Sequence, residues 1–471
     1  MDETRRENYG KYVFILLELL SLIAGFICLY KTNMDSKMLL CILPFGFFVI
    51  SFLFNKNYVY ITDDISKLLI IALFFVRLVV LPFLYSANTG AQLFEGRNSV
   101  EAYFNKACIL MVYEFLIVQA VLYFYDFKKE KQSTFAKNDS RIDITKALIV
   151  CLAIYVLGIA IFLPGYAENF KTIFHVGDAD FAVADGKAEY NIGSIGRVLK
   201  TLFTMAVQLF RILFPAFLMK HFFDRNPESK WCTFMLILSC VLQFMFLTST
   251  FAEAIVSCLA LILYYIKLYP QRKDKSFLFL GISTLGMLIL YFAVRYLSHE
   301  VVGMYSKEGG VMSYAAQIIN AYFTGVDNVA AIFNIPAGHQ SEAFQAGLLG
   351  AIPFNSTLFG NRGSKLQYFF NAYNNSYGQI PPTIGAGYYY FGTLLSPVIT
   401  ALFVMLSVRY YRKAQCMEPS LKYVAVIFCS MVFALGTVMY SPSITLSWYF
   451  SWGIPMLILT LFTNEDRENK I

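Results

Sequence analysis

The chain has 471 residues, 58% of them hydrophobic and only 15% charged, with 46 Phe and 32 Tyr. A soluble chain carries about 25% charge, so this composition excludes an ordinary water-soluble globular protein. The formal net charge of +7 does not point to nucleic acid, because the basic residues sit in short segments between apolar runs.

Those apolar runs repeat from near the first residue to near the last, each long enough to cross a hydrocarbon core roughly 30 Å thick. They predict about twelve spans, near 11–30, 38–54, 67–85, 107–125, 147–165, 198–220, 232–248, 251–268, 276–297, 387–408, 421–440 and 444–462. The pair around Thr248-Ser249-Thr250 can also be read as one long broken helix. The expected fold is all-α and polytopic, a single integral membrane domain over 1–471 with a loop inserted at 298–386. The first apolar run is span-length and lacks a small-residue cleavage site, so it reads as a span and not as a cleaved leader. All cysteines except Cys416 fall in apolar runs and no CxxC pattern occurs, so neither a disulfide framework nor a metal or other cofactor is expected.

Basic residues orient the spans. With Arg5, Arg6 and Lys11 inside, the later inside segments are 126–146 (Lys128, Lys129, Lys131, Lys137, Arg141), 221–231 (Arg225, Lys230), 267–275 (Lys267, Arg272, Lys273, Lys275) and 409–422 (Arg409, Arg412, Lys413). All are basic, and one miscounted span would invert every later one. Three longer segments then lie outside: 86–106, 166–197 and 298–386. The last, between spans 9 and 10, has Tyr314, Ile318, Tyr322 and Phe323 at helical spacing. Gly309-Gly310, Pro336, Gly350, Pro353 and Pro381-Pro382 punctuate it. Two or three short helices lying over the membrane domain are expected. No repeat relates the two halves, which argues against a transporter built on repeats.

No GxxxxGK[ST], HExxH or GxSxG motif is present, and there are only 4 His. The informative residues are ionisable groups within spans: Arg77, Glu114, Arg211, Glu253 and Arg295. A charge at mid-bilayer costs at least about 2.5–3.5 kcal/mol. One reading pairs them structurally, for example Arg77 with Glu114. The other lines an anion site with Arg77, Arg211 and Arg295, because guanidinium forks match phosphate oxygens; Arg295, near the outer end of its span, can also simply snorkel.

The outer loop intersperses Tyr305, Tyr314, Tyr322, Tyr368, Phe369, Phe370, Tyr373 and Tyr377 with Asn320, Asn334, Asn355, Asn361, Asn371, Asn374, Asn375 and Gln379. Aromatic faces with amide donors suit a sugar, and they also suit an interfacial aromatic belt. For acid–base work the loop offers His299, Glu300, Asp327, His339 and Glu342. His339 precedes Glu342 by three residues, which a helix places on one face. Arg362 and Lys365 are its best exposed cations. His175, Asp178, Asp180 and Asp185 read as a solvated acidic face, with no calcium-loop spacing.

The late outer loop is followed by Ile380-Pro381-Pro382-Thr383-Ile384-Gly385-Ala386-Gly387-Tyr388-Tyr389-Tyr390-Phe391-Gly392 at the mouth of the next span. This architecture and this stretch resemble the Wzy-type O-antigen and capsular polysaccharide polymerases, the oligosaccharide repeat-unit polymerases. One departure is Glu253, where many relatives open the span with an arginine. The resemblance implies metal-independent glycosyl transfer at the outer face of the bacterial inner membrane, with both termini cytoplasmic. Undecaprenyl-pyrophosphate-linked oligosaccharides would be donor and acceptor, and membrane lipids, a chain-length regulator and a flippase would be partners. In that scheme His339, Glu342 and Arg362 are the expected catalytic groups. Arg77, Arg211, Arg295, Tyr373, Tyr377 and Tyr388 are the expected substrate-binding groups. An O-antigen ligase and a lipid-linked oligosaccharide flippase or transporter stay open as alternatives.

Overall fold

The structure, a computed structural model, describes residues 3–31, 38–59, 61, 64–87, 99–127, 145–162, 171–172, 194–247, 251–272, 286, 310–355, 364–376 and 378–461. Span 276–297 apart from Gly286, the basic stretch 128–144, most of 166–197, the Thr248-Ser249-Thr250 junction, and His175, Asp178, Asp180, Asp185, Arg295, His299, Glu300, Tyr305, Asn361, Arg362 and Tyr377 lie outside the described residues. Apart from one antiparallel pair of two-residue strands, Lys171–Thr172 with Phe246–Leu247, the regular elements described are helices.

Five of these helices are long and apolar enough to cross a membrane: Gly10–Lys31, Ile65–Ala87, Glu101–Tyr125, Thr201–Arg225 and Pro442–Leu461. This is a helical membrane protein. Four further apolar helices are shorter, Leu39–Leu53, Lys146–Gly158, Trp231–Gln243 and Leu421–Gly436. The expected continuous span at 387–408 is corrected: Thr383–Leu395 and Val398–Gln415 meet at 108°. Gly392 has φ 77°, a left-handed value that glycine adopts without a Cβ penalty. Pro397 then follows, whose ring and missing N–H bar a helix from running through. The chain after the first helix folds back so closely that a Cβ on Gly387 would collide with the Ser396 carbonyl oxygen. Tyr113 Oη donates to the Leu394 carbonyl at 3.0 Å, satisfying backbone that the bend strips of its helical partner.

Contacts divide the chain into two compact units interleaved in sequence. One comprises Met1–Lys131, Val301–Tyr411 and Val432–Ser447; the other comprises Gln132–Glu300, Arg412–Met431 and Trp448–Ile471. In the first unit, the Glu3–Lys31 helix leaves Ile15, Leu16, Leu19, Ile23 and Phe26 exposed and buries Ala24 and Cys28. In a membrane protein the exposed apolar stripe is the lipid face. Phe47 stacks on Phe115 at 4.9 Å and meets Phe75 edge-on at 5.5 Å, so aromatic packing joins the Ile42–Leu53, Ile65–Phe75 and Phe104–Phe127 helices.

Part of the segment expected to lie over this unit packs into it. Its described residues form the helices Gly310–Phe323, Val326–Ala331, Gln340–Leu349 and Leu366–Asn374, with a short 3-10 turn at Ile332–Asn334. Every residue of Val326–Ala331 is buried, and Thr324 is fully buried beside it. Period-3.6 spacing announced helices there but does not say whether an apolar face meets lipid, water or another helix.

In the second unit, Thr145–Phe162, Ser194–Arg225, Trp231–Met245 and Phe251–Leu268 pack together. Val156, Phe203, Ala206 and Val207 form a local core. Pro215 lies within the long Ser194–Arg225 helix.

Candidate functional site

Arg77 sits in a π-helical turn, Val76–Val80, inside the Ile65–Ala87 span. Such a bulge turns side chains that a regular helix would aim elsewhere. Its Nη1 donates to Glu114 Oε2 at 2.7 Å and its Nε donates to the Thr324 carbonyl at 3.0 Å. Thr400 Oγ1 donates to the other carboxylate oxygen, Glu114 Oε1, at 2.6 Å. Thr324 Oγ1 in turn donates to the Val438 carbonyl. Both charged side chains are wholly buried. Arg77 also lines a cavity of about 10 Å³ with Tyr85 and Asn320, room for a single water at most and not for a phosphate. The guanidinium is paired with Glu114, and its Nη2 has no hydrogen-bond partner among the described residues.

Arg211 belongs to the second unit. Its Nη2 donates to the Gln243 carbonyl at 3.0 Å, and Gln243 Nε2 donates back to the Arg211 carbonyl at 2.8 Å. That reciprocal clasp ties two helices. Arg77 and Arg211 thus fall in different units, and Arg295 lies outside the described residues.

His339 and Glu342 are brought together as the i, i+3 spacing predicted. His339 is the N-cap of the Gln340–Leu349 helix and Glu342 lies in its first turn. Nδ1 and Oε2 are 3.4 Å apart, and the two side chains are 44% and 43% exposed. The backbone N–H of Ser364 donates to Glu342 Oε1 at 3.0 Å. That N–H and the imidazole hold the Glu342 carboxyl below the ordinary carboxylate range. The imidazole stacks on Phe369 at 4.7 Å, which fixes the ring plane. Its Nε2 has no hydrogen-bond partner among the described residues. Tyr368 and Tyr373, on the Leu366–Asn374 helix, are exposed.

Most of the loop's amides do other work. Asn320 Nδ2 donates to Asn328 Oδ1, and Asn334 Nδ2 donates to Asn374 Oδ1, each at 2.8 Å. Asn374 Nδ2 donates to the Ala331 and Phe370 carbonyls. Asn371 Oδ1 accepts from Ser376 Oγ and from the Gln379 N–H. Asn375 is the left-handed C-cap of the Leu366–Asn374 helix, with φ 47°, a role asparagine tolerates well. The described part of the polar run 370–378 is thus a helix end joined to a network of amide hydrogen bonds.

The Thr383–Leu395 helix supplies three consecutive tyrosines that point to three places. Tyr388 Oη accepts from Lys106 Nζ at 2.9 Å. Tyr389 Oη donates to the Pro336 carbonyl at 3.3 Å. Tyr390 packs edge-on against Phe344 at 5.3 Å. The exposed Lys106 ammonium lies 4.1 Å from the Phe333 ring centre and 4.8 Å from that of Tyr388. Tyr103 adds a further ring 5.6 Å from Phe333. Sequence reasoning missed Lys106. It stands at a span end, where a lysine reads as an ordinary interfacial anchor, and only the fold brings Phe333 and Tyr388 to it. Comparison with family models, with curated proteins and with solved structures returned no match for this chain.

Proposed function

We propose that this protein polymerises undecaprenyl-pyrophosphate-linked oligosaccharide repeat units into O-antigen or capsular polysaccharide. It would do so at the outer face of a bacterial inner membrane, as a chain of about twelve spans with cytoplasmic termini and an outward-facing 298–386 segment. The observation that supports it is the exposed His339–Glu342 pair, stacked on Phe369 and set beside exposed tyrosines. A glycan polymerase needs a proton acceptor, rings for the sugar's C–H face, and a cation for the departing pyrophosphate.

In this reading a hydroxyl of the acceptor glycan attacks the anomeric carbon of the donor. The new C–O bond forms as the bond from that carbon to the pyrophosphate oxygen breaks, and the bonding pair leaves with undecaprenyl pyrophosphate. The hydroxyl proton passes to His339 Nε2, while Glu342 orients the ring and balances the imidazolium. Lys106, held by the faces of Phe333 and Tyr388, is the cation suited to the leaving phosphate. Tyr373 holds the chain. A chain-length regulator and a flippase are the expected partners.

The test is a gel ladder of lipid-linked glycan in a polymerase-null strain. Complementation with this chain should restore the ladder, and His339→Ala should leave single repeat units on the carrier. Accumulation of the units on the cytoplasmic face would instead assign the chain to transport, and a ladder built but never transferred to its final acceptor would assign it to ligation.

A further inference from the structure

A second chemical feature lies within the Gly10–Lys31 span, away from the site just described. Glu18 is the only acidic residue of that span. It is 6% exposed, and neither carboxylate oxygen has a hydrogen-bond partner among the described residues. Ser21 Oγ, the nearest hydroxyl along the helix, donates to the Glu18 backbone carbonyl at 2.8 Å and not to the carboxylate. The basic residues of this span are Lys11 and Lys31 at its two ends, roughly 10 and 20 Å away along the axis at 1.5 Å per residue. On the packed neighbours, Lys56 lies 6.0 Å over the Tyr123 ring and Arg77 is taken by Glu114.

Phe14, one turn before Glu18 and so on the same face, meets the Tyr58 ring at 5.0 Å. Around Tyr58 runs a closed polar network. Its hydroxyl pairs with Ser51 Oγ at 2.6 Å and accepts from Gln119 Nε2 at 3.1 Å, and Asn57 Nδ2 donates to Gln119 Oε1 at 2.7 Å. Asn57 Oδ1 has no partner among the described residues. The neighbourhood therefore holds unfilled acceptors in excess of donors. An ionised, unpaired carboxylate in such a place costs several kcal/mol. A bound proton removes the charge and supplies the missing donor.

We propose that Glu18 is a reversible proton-binding site within the membrane, facing the Ser51–Tyr58–Gln119–Asn57 network. Loss of its proton puts a negative charge beside that network, which ties the Ile42–Leu53, Lys56–Val59 and Phe104–Phe127 helices. The inference does not depend on the polymerase reading.

Dicyclohexylcarbodiimide, an apolar reagent, reads such a group. The protonated carboxyl adds across one C=N bond: its oxygen bonds to the central carbon, its proton goes to nitrogen, and rearrangement to an N-acylurea leaves a stable adduct with nothing expelled. The full chain in lipid nanodiscs, labelled across a pH series and mapped by peptide mass spectrometry, should carry the adduct at Glu18. Yield should fall roughly tenfold per pH unit above the midpoint, as titration of one group requires. Glu18→Asp should keep the adduct, Glu18→Gln should lose it, and a water-soluble carbodiimide should not form it. A pH-independent adduct, or equal labelling by the water-soluble reagent, would overturn the proposal. Infrared difference spectra between wild type and Glu18→Gln decide independently of reagent access. A protonated carboxyl band at neutral pH is expected, and a carboxylate band there refutes the idea.

Discussion

Arg77–Glu114 and His339–Glu342 are both cation–carboxylate pairs of the first unit, and they differ in one respect. The first is entirely buried at 2.7 Å, and the second is nearly half exposed at 3.4 Å. In the first pair both carboxylate oxygens and two of the guanidinium nitrogens are engaged by protein. In the second, the carboxylate meets one ring nitrogen and the other has no hydrogen-bond partner among the described residues. Burial and the number of protein partners, and not the residue types, separate the two pairs; even so, Arg77 Nη2 has no hydrogen-bond partner among the described residues.

The largest expected effect breaks the buried pair. Arg77→Ala should destabilise the protein by about 3–5 kcal/mol, because it strands Glu114 without its cation. The double replacement Arg77→Met with Glu114→Met should recover most of that loss. Thermal unfolding in detergent measures both, and equal losses in the single and double variants would contradict the pairing. If the double variant also polymerises normally, Arg77 has no part in substrate binding.

At the exposed pair the balance reverses. His339→Ala should change stability by less than about 0.5 kcal/mol, as exposed positions do. It should slow chain extension by roughly 10²–10⁴, the usual worth of a positioned base. A normal ladder from this variant would move the base elsewhere. Glu342→Gln should cost less, since it keeps the geometry and loses only the charge that favours the imidazolium.

Loss of one aromatic platform is a smaller effect. Tyr373→Ala removes about 0.5–1.5 kcal/mol of ring contact, so the ladder should shift toward shorter chains without losing its total yield.

The smallest effect is one of pH. The Glu342 carboxyl is held below its ordinary range, so its contacts are fully present above the unfolded value of about 4.3. They are lost as pH falls through the lower folded value. Amide exchange at Ser364 should therefore quicken only in acid, and Glu342→Gln should remove that pH dependence.

Much of this was legible in the sequence. The apolar runs declared a helical membrane protein because lipid admits little else. The His339–Glu342 pair followed from a three-residue spacing within one local helix. The Arg77–Glu114 pair was readable only as one of two alternatives, since choosing required Thr324 and Thr400, which lie far away in the chain. The bend at Gly392 and Pro397 was hidden by an apolar run that looks continuous to any hydropathy average. The hydrogen bonds of the loop's amides were not legible, because satisfying buried backbone and binding a sugar call for the same side chains.

The consecutive tyrosines of the Thr383–Leu395 helix carry a mechanical consequence. Neighbouring side chains leave a helix about 100° apart, so Tyr388, Tyr389 and Tyr390 act like lobes on a single camshaft. One engages Lys106, one the Pro336 carbonyl, and one the Gln340–Leu349 helix at Phe344. Turning the shaft a fraction of a revolution would disengage all three followers together. Its bearing is the tight crossing where Gly387 meets the Ser396 carbonyl, so Gly387→Ala should displace the shaft, showing as synchronous changes in labelling at all three followers and not at one alone.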